Sequence, residues 1–247
     1  MTRATLETVI FEIQDGIAWI SLNRTDAANS RNQLMRDELG EIWTELHRRS
    51  DILVAVLSGA GAKYFCAGMD LKEAGAHEST SSRRERMTRN RDIERLASLP
   101  QITIAAINGF ALGGGLEMAL ACDIRIIADH AQIGMPEVTK GIVPAGGGTH
   151  RLPRLIGYAR ATELVVLGTR LVGPDAVAWG LASKSVPSDQ LLREAQSMAQ
   201  EIASRSPKAL RYAKELLSRS QDVGLDVSLD SELDAILDLL STEPECR

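Results

Sequence analysis

Cysteine is scarce in this chain. Only Cys66, Cys122 and Cys246 occur in 247 residues, odd in number and widely scattered. That suits a reducing cytoplasm better than a disulfide framework. No apolar run approaches the length of a membrane span, and the start, Met1-Thr2-Arg3-Ala4-Thr5-Leu6-Glu7, has no apolar signal stretch. A cytoplasmic protein without membrane contact is expected. Positive charge is not in excess either. The formal net charge of −5 disfavours a general nucleic-acid or anionic-membrane binder.

Several cofactor signatures are missing as well. Gly59-Ala60-Gly61 follows an apolar run, but Tyr64 stands where a dinucleotide turn needs its third glycine. Gly146-Gly147-Gly148-Thr149 lacks the lysine of a phosphate loop. His47, His77, His130 and His150 have no metal-ligand spacing, so no metal site is expected. There is no low-complexity tract and no clear short-period repeat.

What is present suits a soluble enzyme-sized core. Hydrophobic residues make up 44% and charged residues 25%. One large domain, or a domain plus an appendage, is expected. Val9–Ile13 and Ile17–Leu22 read as strands around Asp15-Gly16. Arg31 to Ser50 reads as a helix with Leu34, Leu39, Ile42, Trp43 and Leu46 on one face. Ile52–Leu57 and Ile102–Ile107 read as buried strands, Gly115–Cys122 as a helix, and Ile124–Ile127 as a further strand. Ala76 to Arg86 is polar and reads as a mobile surface loop, leading into a helix that ends near Leu99. The alternation to about Val186 predicts an α/β core with parallel strands. From Ser188 onward only helices are expected, one capped by Ser206 with Pro207 at its first position. A last helix, Val227 to Leu240, carries the stripe Leu229, Leu233, Ile236, Leu237 and Leu240, which fits core packing or a subunit interface equally.

Two glycine-rich turns and two glutamates carry the chemistry. The first turn is Phe65-Cys66-Ala67-Gly68-Met69-Asp70-Leu71-Lys72, and the second is Ala111-Leu112-Gly113-Gly114-Gly115-Leu116-Glu117. Glycines at a helix start allow close backbone approach, and the helix N-terminus adds exposed N–H groups and partial positive charge. Taken alone, such a run is read slightly better as a tight strand-to-helix packing turn. Glu117 can be read as dipole complementation, yet Leu116, Met118, Ala119 and Leu120 around it are apolar. Glu137, after Pro136, taken singly is a solvated loop residue.

Together these residues resemble the crotonase, or enoyl-CoA hydratase/isomerase, superfamily. The likeness runs through Leu22-Asn23-Arg24, Ala28-Asn29 and Phe65 to Glu73, and is strongest from Asn108 to Gly157. It implies a spiral of ββα units over residues 1–187, carrying the active site, and a helical C-terminal region over 188–247 that builds a homotrimer or a hexamer. It implies an acyl-CoA thioester as substrate, with coenzyme A as part of that substrate and no separate cofactor. By motif position, the backbone N–H groups of Met69 and Gly114 form an oxyanion hole, and one such donor is worth about 3 kcal/mol in the barrier. Glu117 falls on the position of the base acting on water, and Glu137 on that of the acid protonating the α-carbon. Ala67, Asp70, Leu71 and Ala28 fall on the nucleotide-binding segments, and Arg24 and Lys72 on basic positions near phosphates. The expected reaction is reversible hydration of trans-2-enoyl-CoA to 3-hydroxyacyl-CoA. An enoyl-CoA isomerase, a pathway-specific dehydratase, or an acyl-CoA- or RNA-binding relative are the alternatives. The chain departs from the usual pattern at Thr25, at Ser30-Arg31 in place of an apolar pair, at His150, and in its ending, Ser241 to Arg247.

Overall fold

The computed structural model describes residues 2–70, 72–73, 78–89, 91–220 and 222–241. Its strands are β1 Thr2–Thr5, β2 Val9–Gln14, β3 Ile17–Leu22, β4 Val54–Gly59, β5 Tyr64–Cys66, β6 Ile102–Ile107, β7 Phe110–Leu112, β8 Ile124–Ala128, β9 Gln132–Gly134, β10 Arg170–Val172 and β11 Lys184–Val186. They form a seven-stranded sheet in the order β1-β2-β3-β4-β6-β8-β11 and a four-stranded sheet in the order β10-β9-β7-β5. The large sheet begins as an antiparallel meander and is parallel from β3 onward. The meander turns at Asp15-Gly16, both with positive φ, as its Asp-Gly pair predicts.

The chain crosses between the sheets in a repeating way. β4, β6 and β8 lie in the large sheet, and β5, β7 and β9, which follow each of them, lie in the small one. A helical segment comes next each time: α2 Thr80–Arg89 with α3 Asp92–Ala97, then α4 Gly114–Ala121, then a 3-10 turn Glu137–Lys140 with α5 Gly148–Val166. This is a spiral of ββα units. Strands of three residues are too short to show a period, so the small sheet leaves no pattern in the sequence.

The remaining helices are α1 Gln33–Arg48, α6 Gly173–Ala178, α7 Leu191–Ala203, α8 Pro207–Arg219 and α9 Leu225–Ser241. α7 packs across β3, β4, β6 and β8, burying Leu191, Ala195 and Ala199. α8 starts as predicted, with Ser206 accepting from Ala209 N. It is tied to the core by Lys214, whose Nζ donates to Asp123 Oδ2 and to Gln101 O, both at 2.7 Å. The same Asp123 oxygen accepts from Thr103 N. One partly exposed ion pair thus ties α8 to β6 and to the turn between α4 and β8.

The structure shifts three expectations. β4 begins at Val54, two residues later than predicted. Thr80 onward is helix rather than loop. Ser79 Oγ accepts from Ser82 N, so the serine-rich stretch caps a helix instead of breaking one. Ala76 and His77 lie outside the described residues. The α9 stripe does not pack on its own core. Leu233 is 55% exposed, Leu237 56% and Leu240 74%, and Ala235 is the buried residue of that helix.

Candidate active site

Apart from Glu117, α4 is apolar on every side, and it is buried from Gly115 to Ala121, so it runs through the interior. Its start is pressed against the end of β5. A Cβ on Gly115 would stand 2.1 Å from Cys66 O, so this position admits only glycine. Gly68 has φ +98° and leaves no room for a side chain, since a Cβ there would lie 2.8 Å from Leu112 O and 3.2 Å from Gly114 N. These two contacts bring the glycine-rich turns together.

The result is a pair of adjacent free donors. A Cβ on Gly114 would lie 3.6 Å from Met69 N. Among the described residues, neither the Met69 N–H nor the Gly114 N–H donates a hydrogen bond. Arg31 brackets Met69: its N donates to Gly68 O at 2.8 Å, and its O accepts from Asp70 N at 3.1 Å. Met69 N is thereby left pointing away from the ladder, and Gly114 N is a first-turn helix donor with no cap.

Both glutamates are buried beside this pair. Glu117 is 4% exposed and Glu137 9%. Glu117 Oε1 accepts from Gly146 N at 2.7 Å and Gly148 N at 2.9 Å. Its Oε2 has no partner among the described residues. Glu137 opens the 3-10 turn after Pro136 and lies over the other turn: a Cβ on Gly113 would stand 2.7 Å from Glu137 Oε1. Glu137 Oε2 is buried with no hydrogen-bond partner among the described residues. Burial raises the Glu137 pKa above the ordinary glutamate value, and the nearby Glu117 charge adds to the rise. Neither carboxyl is the solvated surface group that each suggests on its own.

The predicted nucleotide-binding residues also meet, partly through one another. Arg24 Nη1 donates to Asp70 Oδ2 at 2.9 Å and to Ser30 O at 2.7 Å. Burial disfavours the Asp70 carboxylate, but its hydrogen bond from Arg24 and one from Lys72 N hold its pKa below the usual value. Ala67 N donates to Ala28 O at 3.1 Å, and Ala28 has a left-handed backbone. Lys72 is exposed. Leu71 lies outside the described residues.

Two features of the site escape a reading of the sequence. The first is the role of Gly146 and Gly148, which hold Glu117; as a failed phosphate loop, their run gave no hint of a carboxylate partner. The second is a buried pair of Arg31 on the Met69 side and Asp92 on α3, with Arg31 Nη2 at 2.5 and 2.6 Å from the two Asp92 oxygens. A charge in a position where an apolar residue is usual was its only signal. Cys66 and Cys122 are buried thiols whose pKa values burial pushes up to about 11 and about 12. Among the described residues, no group of three His, Cys, Asp or Glu gathers as for a metal, and no helix is long and apolar enough to cross a membrane.

Comparison with known proteins agrees in sequence and in fold. The family model described as enoyl-CoA hydratase/isomerase matches residues 12–243. The chain is 36% identical over 240 residues to the short-chain-enoyl-CoA hydratase of Clostridium acetobutylicum, covering 97% of this chain and 92% of that protein. It is 36% identical over 223 residues to the (E)-benzylidenesuccinyl-CoA hydratase of Thauera aromatica, covering 88% and 85%. The crystal structure of an enoyl-CoA hydratase from Bacillus anthracis superimposes with a TM-score of 0.92 at 41% identity, covering 96% of this chain and 92% of that one.

Proposed function

The chain belongs to the enoyl-CoA hydratase/isomerase family, and on that premise we propose that it adds water reversibly to trans-2-enoyl-CoA, giving 3-hydroxyacyl-CoA. The observation that carries this reading is the placing of two buried carboxyls beside two free N–H groups.

The thioester oxygen sits between Met69 N–H and Gly114 N–H. As water oxygen bonds to the β-carbon, the π electrons move toward that oxygen, and the two donors stabilise the enolate that forms. Glu117 takes the proton from water. Its Oε1 is pinned by Gly146 and Gly148, so its Oε2 is the free oxygen for this task. Glu137 gives a proton to the α-carbon as the enolate collapses. Burial and the Glu117 charge favour its neutral form, which is the form an acid needs. The proton gained by Glu117 and the one lost by Glu137 balance, and exchange through water restores the pair.

The CoA nucleotide lies along Ala67 to Lys72 and the segment near Ala28, with Arg24 and Lys72 on the phosphate side. CoA enters as part of the substrate, and no separate cofactor or metal takes part. Residues 1–187 are the catalytic core, and residues 188–247 the region that joins subunits into a trimer or a hexamer. The exposed α9 stripe supports that assembly. The working compartment is the cytoplasm, and neither nucleic acid nor membrane is a partner.

The test is crotonyl-CoA hydration by Glu117→Gln and Glu137→Gln. Each is expected to lower kcat by about 10²- to 10⁴-fold with little change in KM. Near wild-type turnover in either variant rejects the two-carboxyl mechanism. Faster isomerisation of 3-enoyl-CoA than hydration of crotonyl-CoA moves the assignment to an isomerase.

A further inference from the structure

The hydration chemistry leaves one charged group of the site without a task. Arg31 is 6% exposed and Asp92 4%, so the ion pair between them is shut off from water. Nη2 alone carries that pair, reaching Oδ1 at 2.5 Å and Oδ2 at 2.6 Å. An arginine held for structure alone more often spends two nitrogens on a carboxylate, in a parallel fork. Here Nε is buried without a partner, and Nη1 has none among the described residues. Burying a charge pair is costly unless its remaining donors are satisfied.

Nη1 lies beside the same glycine turn as the two bare amides. A Cβ on Gly114 would meet Arg31 Nη1 at 3.1 Å and Met69 N at 3.6 Å. The Arg31 backbone is bonded to both sides of Met69, through Gly68 O and Asp70 N. The guanidinium and the two amides therefore border one small space.

We infer that Arg31 is a third, cationic donor to the oxyanion site, giving an Nη1 hydrogen bond to the thioester oxygen as it becomes an enolate oxygen, and that Asp92 is the positioning residue that aims it. The inference rests on the reading of Met69 and Gly114 given above. The two amides offer partial charges, whereas the guanidinium offers a full one, and in a buried site a charge-assisted hydrogen bond is the stronger kind. No proton transfer by Arg31 is involved, because guanidinium stays charged.

Acetoacetyl-CoA tests this directly, since its β-ketothioester forms an enolate with its own ultraviolet band and needs no attacking water. The bound enolate band is read at one pH for the wild type, for the charge-free double variant Arg31→Gln/Asp92→Asn, and for Arg31→Lys. Thermal melts check that each is folded. The double variant is expected to lose at least about fivefold in enolate band and about 10- to 100-fold in kcat on crotonyl-CoA, with KM within about threefold. Arg31→Lys keeps the charge and recovers part of both. A folded double variant with wild-type band and kcat, or a lysine variant no better than the charge-free one, overturns the inference. Should the double variant not fold, Arg31→Gln against Arg31→Lys decides in the same way. A wild-type chain with no enolate band overturns the oxyanion site itself, which separates that failure from failure of Arg31 alone.

Discussion

Gly113 and Glu137 are packed so closely that a Cβ on Gly113 would stand 2.7 Å from Glu137 Oε1. Gly113 also has φ +53°, in the region that favours glycine. Gly113→Ala is therefore expected to displace the carboxyl as well as strain the turn. The carboxyl is the end of a flexible side chain and can yield, so the fold survives. We expect a stability loss of about 1–3 kcal/mol and a fall in kcat on crotonyl-CoA of at least about tenfold. A variant with reduced stability but full turnover would show that Glu137 does not act from this position.

The raised pKa of Glu137 has a sign that can be measured. Burial, the largest cause, and the Glu117 charge both favour the protonated form, against a backbone hydrogen bond and Lys140. The folded chain then binds more protons than the unfolded chain from about pH 4.3 up to the raised value. The stability this supplies is complete below the unfolded value and is lost as pH rises through the folded one. Glu137→Gln cannot titrate, so wild-type stability should fall relative to it across that window and level off above. Urea unfolding of both chains at several pH values gives the difference, and a difference independent of pH contradicts the rise.

Arg24 and Asp70 share a hydrogen-bonded ion pair at 2.9 Å within the proposed nucleotide segment. Arg24→Ala should loosen the Ala67 to Asp70 turn and remove a charge from the phosphate side. KM for crotonyl-CoA is expected to rise about five- to tenfold with kcat within about threefold, the pattern of lost uniform binding. Crotonyl-pantetheine has no nucleotide and should show a much smaller difference. An equal rise for both substrates would place Arg24 away from the nucleotide.

α9 presents Leu233 and Leu237 to solvent in the single chain, each more than half exposed. An apolar face of that kind marks a contact surface. Leu233→Glu/Leu237→Glu is expected to convert the proposed assembly to smaller species in light scattering after size exclusion. An unchanged mass would remove α9 from the subunit contact.

The legible part of the fold was its long elements. The α1 stripe, the apolar strands β4 and β6, and the Ser206-Pro207 start of α8 each carry a local signal, which packing adjusted in detail: Leu34 of the α1 stripe is 37% exposed while Met35 is buried, and β4 starts two residues late. The small sheet was not legible, because β5, β7 and β9 are three residues each and pair with strands far away in the chain. Ser79 misled in the other direction, since serine serves a turn and a helix cap equally well. Within the site, the glycine turns and glutamates were visible as motifs, and their resemblance to a family suggested a meeting point. Arg31 with Asp92, and Gly146 and Gly148 with Glu117, were not visible as pairs. Each joins residues 29 to 61 positions apart through a pair of hydrogen bonds.

By itself the sequence determined which backbone groups stand bare and which side chains can move a proton. Glycines at 68 and 113–115 and carboxyls at 117 and 137 are properties of composition and local order. Only the tertiary structure decided that they lie around one space. The close approach of Gly115 to Cys66 O seats α4 against β5 and sets Gly114 N beside Met69 N. Burial then does what no local pattern can: it raises the Glu137 pKa and encloses the Arg31–Asp92 pair away from water.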